Sequence, residues 1–370
     1  MGRNFSIVNS PIVLFLGAGA SAPLGKPTMA QFMSTLNRHL KLTFANLNGI
    51  DSLLSQVGLD LEELLETLGS MIEMSCAEGF VLRSSAVPTG LEAPPLPPDI
   101  DPFGASMLKG PKVPTSAAVQ LQRTVHRAVI KEYRTIPSDK VTELYRPLFD
   151  LIFSKYARSN HYCLPIFTTN YDPSIEAFVQ HNYQEYDVVD GFQYIEAERR
   201  EGWNALHFDN YNPLTGRDKR HLLLFKLHGS ADWILIDSMI RRAEARYVAE
   251  GDEHWNNCLI YPAKKKVALQ DPYFTCYDYL TRCFEKTQTC LTIGYSFRDY
   301  DALMRLRAAI RQDEKLNLLL VSPNATEVVT QFSLPTERIL PIDAPFGVPG
   351  MVPDYLAGVK GYFERTRDAT

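Results

Sequence analysis

Residues 11–22 read Pro11-Ile12-Val13-Leu14-Phe15-Leu16-Gly17-Ala18-Gly19-Ala20-Ser21-Ala22. The apolar run to Leu16 is too short for a helix and stops at glycine, which predicts a strand buried on both faces. Gly17 to Ala22 fit G-x-G-x-x-A, a strand-to-helix turn of the kind that admits a pyrophosphate. Gly17 is expected to permit the tight turn and Gly19 the close approach, with backbone amides stabilising the phosphate charge. Alone the pattern is weak, because a glycine-rich turn without a ligand reads the same way. Positions 36–48 hold no carboxylate, so the ribose-binding acid of an ordinary dehydrogenase is missing.

Working outward, four more short apolar runs stand at 162–167, 222–227, 290–293 and 316–321. Each ends in polar residues or glycine, and most lead into a helical pattern. The expectation is an α/β fold: a Rossmann-like parallel sheet with its ligand crevice at the strand C-termini. Helices are predicted over 27–48, 59–74, 116–135, 139–158, 173–181, 272–287 and 299–312. The block 31–158 breaks the alternation and is expected as an inserted helical layer over a core of 1–30 and 159–345. Eight prolines between 86 and 116 predict a loop within that layer. Residues 346–370 are expected as a surface tail, Pro- and Gly-rich from 341.

The chain has 370 residues, 45% of them hydrophobic, and 38 basic against 43 acidic side chains give a net charge of −5. That balance argues against a nucleic-acid-coating protein. Neither a membrane span nor a secretory signal is recognisable, so a cytoplasmic location is expected. The six cysteines, at 76, 163, 258, 276, 283 and 290, include no C-x-x-C pair. A zinc module therefore lacks ligands of the usual spacing, and buried thiols are the expectation, with no metal and no disulfide.

The candidate chemistry sits at the predicted strand ends. Thr169-Asn170-Tyr171-Asp172 sets a carboxamide and a carboxylate two apart in a loop, suited to ribose hydroxyls and a water, or to capping the next helix. Lys226-Leu227-His228-Gly229-Ser230 puts an imidazole at another strand mouth, a candidate for acid–base work, beside a glycine that allows close approach. Gly294-Tyr295-Ser296-Phe297-Arg298-Asp299 is a second glycine turn, with Ser296 or Asp299 able to cap the helix that follows.

In this order and spacing, GAGAS, TTNYD, KLHGS and GYSFRD resemble the sirtuin-like NADase domains of bacterial antiphage defence systems, the HerA-, Argonaute- or Thoeris-associated type. The resemblance covers roughly 10–30 and 160–325. It implies NAD⁺ as substrate, with Asn170 and His228 required for its cleavage at the nicotinamide–ribose bond. It places Gly17, Ala18, Gly19, Ser21, Asp172, Gly294 and Ser296 against the nucleotide and, by analogy, Ser322 and Asn324 near the adenosine ribose. Thr28, Thr169 and Gly229 are counted with them as candidate contacts. Protein-deacetylating sirtuins carry four zinc-binding cysteines between the catalytic histidine and the late glycine turn. This chain has no paired cysteines there, which favours hydrolysis over deacylation.

The products expected are nicotinamide and ADP-ribose. One alternative is a module that senses NAD or an ADP-ribose nucleotide without cleaving it, though such a binder needs neither Asn170 nor His228. The other is a sirtuin-type protein transferase. Defence NADases are held inactive until triggered, and little chain is left here for a sensor domain. Control is therefore expected from homo-oligomerisation or a separate protein, a HerA-type ATPase rather than a short Argonaute. The Pro-rich segment 86–116 and the tail are the candidate contact surfaces. Neither a membrane nor direct nucleic-acid binding is expected.

Overall fold

The computed structural model describes residues 10–46, 50–57, 115–156, 162–195, 200–209, 211, 219–236, 239–242, 256–259, 271–313, 315–331, 336–347 and 354–366, with most of 61–71. The chain divides into two compact units, one of residues 1–28 and 129–370 and the other of residues 29–128.

The larger unit is an α/β, Rossmann-like fold. Its sheet holds seven strands in the order β12-β11-β10-β1-β2-β6-β3. They are β1 (Ile12–Leu16), β2 (Cys163–Thr168), β3 (Tyr186–Val189), β6 (Arg220–Lys226), β10 (Thr289–Ile293), β11 (Asn317–Ser322) and β12 (Ile339–Asp343). Every neighbouring pair is parallel. The five predicted strands occupy its centre. Burial on both faces is what made them read as continuous apolar runs.

Successive side chains of these strands feed two separate cores, as the pleat requires. Ile12, Leu14, Leu16, Leu164, Ile166, Leu222 and Leu224 face helices α4 (Ser138–Tyr156), α5 (Ser174–His181) and α10 (Asp354–Arg365). Val13, Phe15, Phe167, Leu223 and Phe225 face α7 (Tyr273–Phe284), α8 (Tyr300–Gln312) and α9 (Ala325–Gln331). The chain leaves β1 for β2 on one side and later returns to lay β10 on the other. Strand order therefore reverses between β1 and β10, and their C-terminal ends frame the crevice that such a switch creates. Small antiparallel pieces decorate this unit: β4 (Phe192–Ile195) with β5 (Arg200–Trp203), and β7 (Trp233–Ile236) with β8 (Met239–Arg242) and β9 (Asn256–Asn257). A short helix, α6 (Leu206–Asp209), lies between β5 and β6.

In the smaller unit, α1 (Met29–Thr43) buries Phe32, Met33, Leu36 and Leu40, spaced for one helical face. Helix α2 (Ile50–Val57) buries Ile50, Leu53 and Leu54, and α3 (Thr115–Arg134), within which the unit boundary falls, buries Ala118, Leu121 and Val125.

Three expectations need correction. The helical insertion was placed over 31–158, but α4 packs directly on the sheet through Leu148, Phe149 and Ile152, so it belongs to the sheet unit. The expected surface tail carries α10, whose Tyr355, Val359, Tyr362 and Phe363 form a buried helical stripe. Leu316–Val321 is the last of the five apolar runs read as strands, but β12 follows it and forms one edge of the sheet. Edge strands are half exposed and lose the apolar continuity that marks central ones. Cys76 and the Pro-rich loop to residue 114 lie outside the described residues.

Among the described residues no helix is long and apolar enough to cross a membrane. Cys258, Cys276, Cys283 and Cys290 are buried. Burial pushes the Cys283 and Cys290 thiols up to about 12.

Phe225 stacks on Phe167 at 4.7 Å, on Phe208 at 4.6 Å and on Tyr279 at 5.0 Å between ring centroids. Phe225→Ala is expected to cost about 3–5 kcal/mol in urea unfolding. Phe274→Ala, at a ring 60% exposed, should stay within about 0.5 kcal/mol. Equal losses at the two positions would contradict this core.

Candidate active site

Four loops converge at the crevice, and the glycines explain how. A Cβ on Gly17 would stand 2.5 Å from Tyr295 Cα and 2.6 Å from the Gly294 oxygen, and one on Gly19 2.7 Å from Gly294 Cα. The two glycine turns thus pack backbone against backbone. The Gly17 amide donates to the Ile293 oxygen at 2.9 Å and the Gly19 amide to the Gly294 oxygen at 2.8 Å. Gly294 also needs the left-handed region, with φ of 60°.

The turn read as a phosphate cradle is also internally bonded. The amides of Gly17, Gly19, Ala20 and Ser21 all donate to protein carbonyls. Gly17, moreover, has extended backbone rather than a tight-turn conformation. The glycines are there for the contact between β1 and β10, and the exposed Ala18 presents the turn outward.

The loop after β2 is tied to the same turn. Asn170, 9% exposed, donates through Nδ2 to the Gly17 oxygen at 2.8 Å and to Ser21 Oγ at 2.9 Å. Ser21 Oγ donates onward to Asp172 Oδ2 at 2.7 Å, and Asp172 Oδ1 caps α5 by accepting from the Ser174 amide at 3.2 Å. A carboxamide nitrogen has two protons. Both are engaged within the protein, so the oxygen is the Asn170 atom suited to a ligand hydroxyl or water. Asp172 braces the loop and takes the helix-capping role that sequence had left open.

The loop after β6 is stitched to the loop after β2. The Leu227 amide donates to the Thr168 oxygen at 2.9 Å and the Ala231 amide to the Tyr171 oxygen at 2.8 Å. Lys226, buried at the end of β6, donates to the Asp172 oxygen at 2.7 Å and pairs with Glu176 of α5 at 3.2 Å. Gly229 has φ of 79°, and a Cβ there would collide with the Cys258 oxygen.

His228 is buried, and its Nε2 lies 2.6 Å from Asp299 Oδ2. Tyr277 of α7 donates to the same oxygen at 2.7 Å. The other Asp299 oxygen caps α8, accepting from the Asp301 amide at 3.0 Å and the Ala302 amide at 3.2 Å. Burial opposes ionisation of Asp299, but His228, Tyr277 and the helix amides outweigh it and hold the carboxyl well below the usual range. Burial, with Asp299 beside it, drives the Tyr277 hydroxyl well above its ordinary value, so it stays protonated as a donor.

The predicted residues therefore fall into distinct groups. Gly17, Ser21, Asn170 and Asp172 share one hydrogen-bonded cluster, and Gly19 bonds to Gly294 of the turn packed against it. Thr169 ties in through its amide, which donates to the Leu16 oxygen. Ser322 donates to Asn324 Oδ1 at 2.8 Å at the end of β11. Thr28, Ser296 and Asn324 are exposed. Tyr277 has no motif around it to mark it, and Asp299 reads from sequence only as a possible cap. Lys226 stands in a motif that assigns it no role, since a lysine at a strand end carries no sign of being buried.

Among the described residues no group of three or more His, Cys, Asp or Glu side chains is placed to hold a metal ion. A family model described as a SIR2-like domain matches residues 165–335. The match takes in the loops after β2, β6, β10 and β11 and points to an NAD-dependent activity. A search of curated proteins returns no match to the chain.

Glu176 offers a test of the packing below the site. Burial raises its carboxyl from the ordinary 4.5 to about 7, against the pull of Lys226. The folded chain then holds this proton more tightly than the unfolded chain does. Its contribution is full below about pH 4.5 and is lost as pH rises through about 7. Glu176→Gln is expected to flatten the fall in stability over that window in urea titrations, and an unchanged slope would contradict the burial.

Proposed function

We propose that this protein is an NAD⁺ glycohydrolase: it breaks the bond between nicotinamide and ribose and releases nicotinamide and ADP-ribose. The observation that carries the reading is a buried carboxamide and a buried imidazole on adjoining strand ends, beside the switch point of a parallel sheet. The SIR2-like match and the motif order support it.

NAD⁺ lies across the strand ends with its nicotinamide ribose toward Asn170 and His228. Nicotinamide departs with the electron pair of the glycosidic bond, which neutralises its pyridinium nitrogen and leaves oxocarbenium character on the ribose. A rigid site gains by meeting that charge with oxygen acceptors already in place. Asn170 Oδ1 orients a ribose hydroxyl or the attacking water, its amide held from behind by Gly17 and Ser21. Water adds to the anomeric carbon, and His228 takes up the proton set free. Tyr277, Tyr295 and Phe297 are all buried, which limits bulk water on this side.

As the resemblance implies, the activity serves antiphage defence by depleting NAD⁺ in the cytoplasm. It is gated by self-assembly or by a separate partner, with a HerA-type ATPase ahead of a short Argonaute.

Purified chain should release nicotinamide from NAD⁺, alone or once a HerA-type ATPase is added. Asn170→Ala and His228→Ala should each lower the rate by at least about 10²-fold while leaving the unfolding transition in place. Wild-type rates in Asn170→Ala would sink the assignment. Bound NAD⁺ with no release under any condition would favour a sensor, and release only with a protein acceptor a transferase.

A further inference from the structure

In strand order β10 and β6 are separated by β1 and β2, yet the loops after them meet at the His228–Asp299 contact. The β10 loop reaches that far through an unusual backbone. Gly294 has φ of 60° and Phe297 φ of 56°, a left-handed conformation that a bulky aromatic side chain rarely adopts. Phe297 is 1% exposed, so its packing holds the bend, and Asp299 stands two residues later. Strain retained in front of one carboxylate points to a task for that carboxylate. Capping α8 occupies only Oδ1, whereas Oδ2 lies 2.6 Å from the imidazole.

We propose that Asp299, steadied by Tyr277, is the positioning residue that holds His228 as the Nε2–H tautomer and stabilises its imidazolium. A neutral ring donating from Nε2 carries its lone pair, and so its basicity, on Nδ1. Asp299 stays ionised throughout and orients the ring. The β10 loop, read from sequence as a nucleotide contact and a cap, thus sets the basicity of the acid–base residue on the β6 loop. The inference rests on His228 being the acid–base residue of the proposed hydrolase.

The groups around the pair come from several elements. Asp299 and Tyr295 lie on the β10 loop, with Tyr277 on α7. Asp301, in the first turn of α8, acts on Tyr277 through its charge, and the Arg305 guanidinium lies 5.2 Å from the Tyr277 ring centroid. Tyr277 Oη stands 3.4 Å from His228 Nε2 but gives its proton to Asp299 Oδ2 at 2.7 Å, so its main effect is to draw off part of the charge available to His228. The two neighbours therefore act in opposite directions on the imidazole.

The test uses full-length protein labelled with ¹⁵N-histidine, the His228 resonances being assigned by their loss in His228→Gln. At high pH the neutral ring should show the proton on Nε2. Asp299→Asn keeps a carbonyl oxygen for the α8 cap and removes the charge. His228 should then titrate about 1–3 pH units lower. Tyr277→Phe should move the titration upward. A merely structural role for Asp299 predicts neither direction. An Nδ1–H tautomer, or an unchanged titration in Asp299→Asn, overturns the proposal. Should Asp299→Asn fail to fold, Tyr277→Phe decides: an upward move supports the proposal, and a static or downward one overturns it. If NAD⁺ is cleaved, the acid limb of nicotinamide release should track the same shifts. If it is not, the functional reading falls while the spectra still decide the pairing.

Discussion

At the ends of β1 and β10 two backbones come so close that Gly17, Gly19 and Gly294 have no room for a side chain. The approach is set by Gly17 and Gly19 on one turn and by Gly294 on the other, with the Gly19 amide bonded to the Gly294 oxygen. These ends lie where strand order reverses, so the helices that cover them depart to opposite faces and a crevice opens between. The contact fixes the floor of that crevice. Its consequence is that the amides of Gly17, Gly19, Ala20 and Ser21 all have acceptors within the protein, which holds the turn in one conformation.

From that floor the polar network spreads along the strand ends. Asn170 hangs from the Gly17 oxygen and Ser21, and Asp172 holds Ser21 in turn. Lys226 and the amides of the β6 loop then fasten onto the loop after β2. Each of these buried polar groups has a partner of matching chemistry, which a dry interior demands. A site connected in this way is stiff, and stiffness is what a reaction developing charge needs from its surroundings.

The same connectivity makes single residues serve two purposes. Asp172 caps α5 and anchors Ser21; Asp299 caps α8 and meets His228. Helix N-termini favour a carboxylate. Placing such a cap at a strand mouth brings an ionised group to the crevice while its charge is stabilised from behind. Burial alone would push the Asp299 proton up, and the helix amides and His228 reverse that.

Much of this was legible in the residues. The five central strands announce themselves because burial on both faces leaves them apolar throughout, and the loops that end them carry GAGAS, TTNYD, KLHGS and GYSFRD. Asn170 and His228 could be singled out as polar residues directly after such strands, at the carboxyl ends where a parallel sheet forms its crevice. Tertiary structure decided the rest. The edge strands β3 and β12 are half exposed and leave a fainter pattern, and α10 hides in a stretch whose prolines and glycines suggest a tail. The pairing of His228 with Asp299 spans 71 residues and depends on the order in which strands lie side by side. Local periodicity reports which face of an element is buried; it holds no information about which distant loop the fold will bring against it.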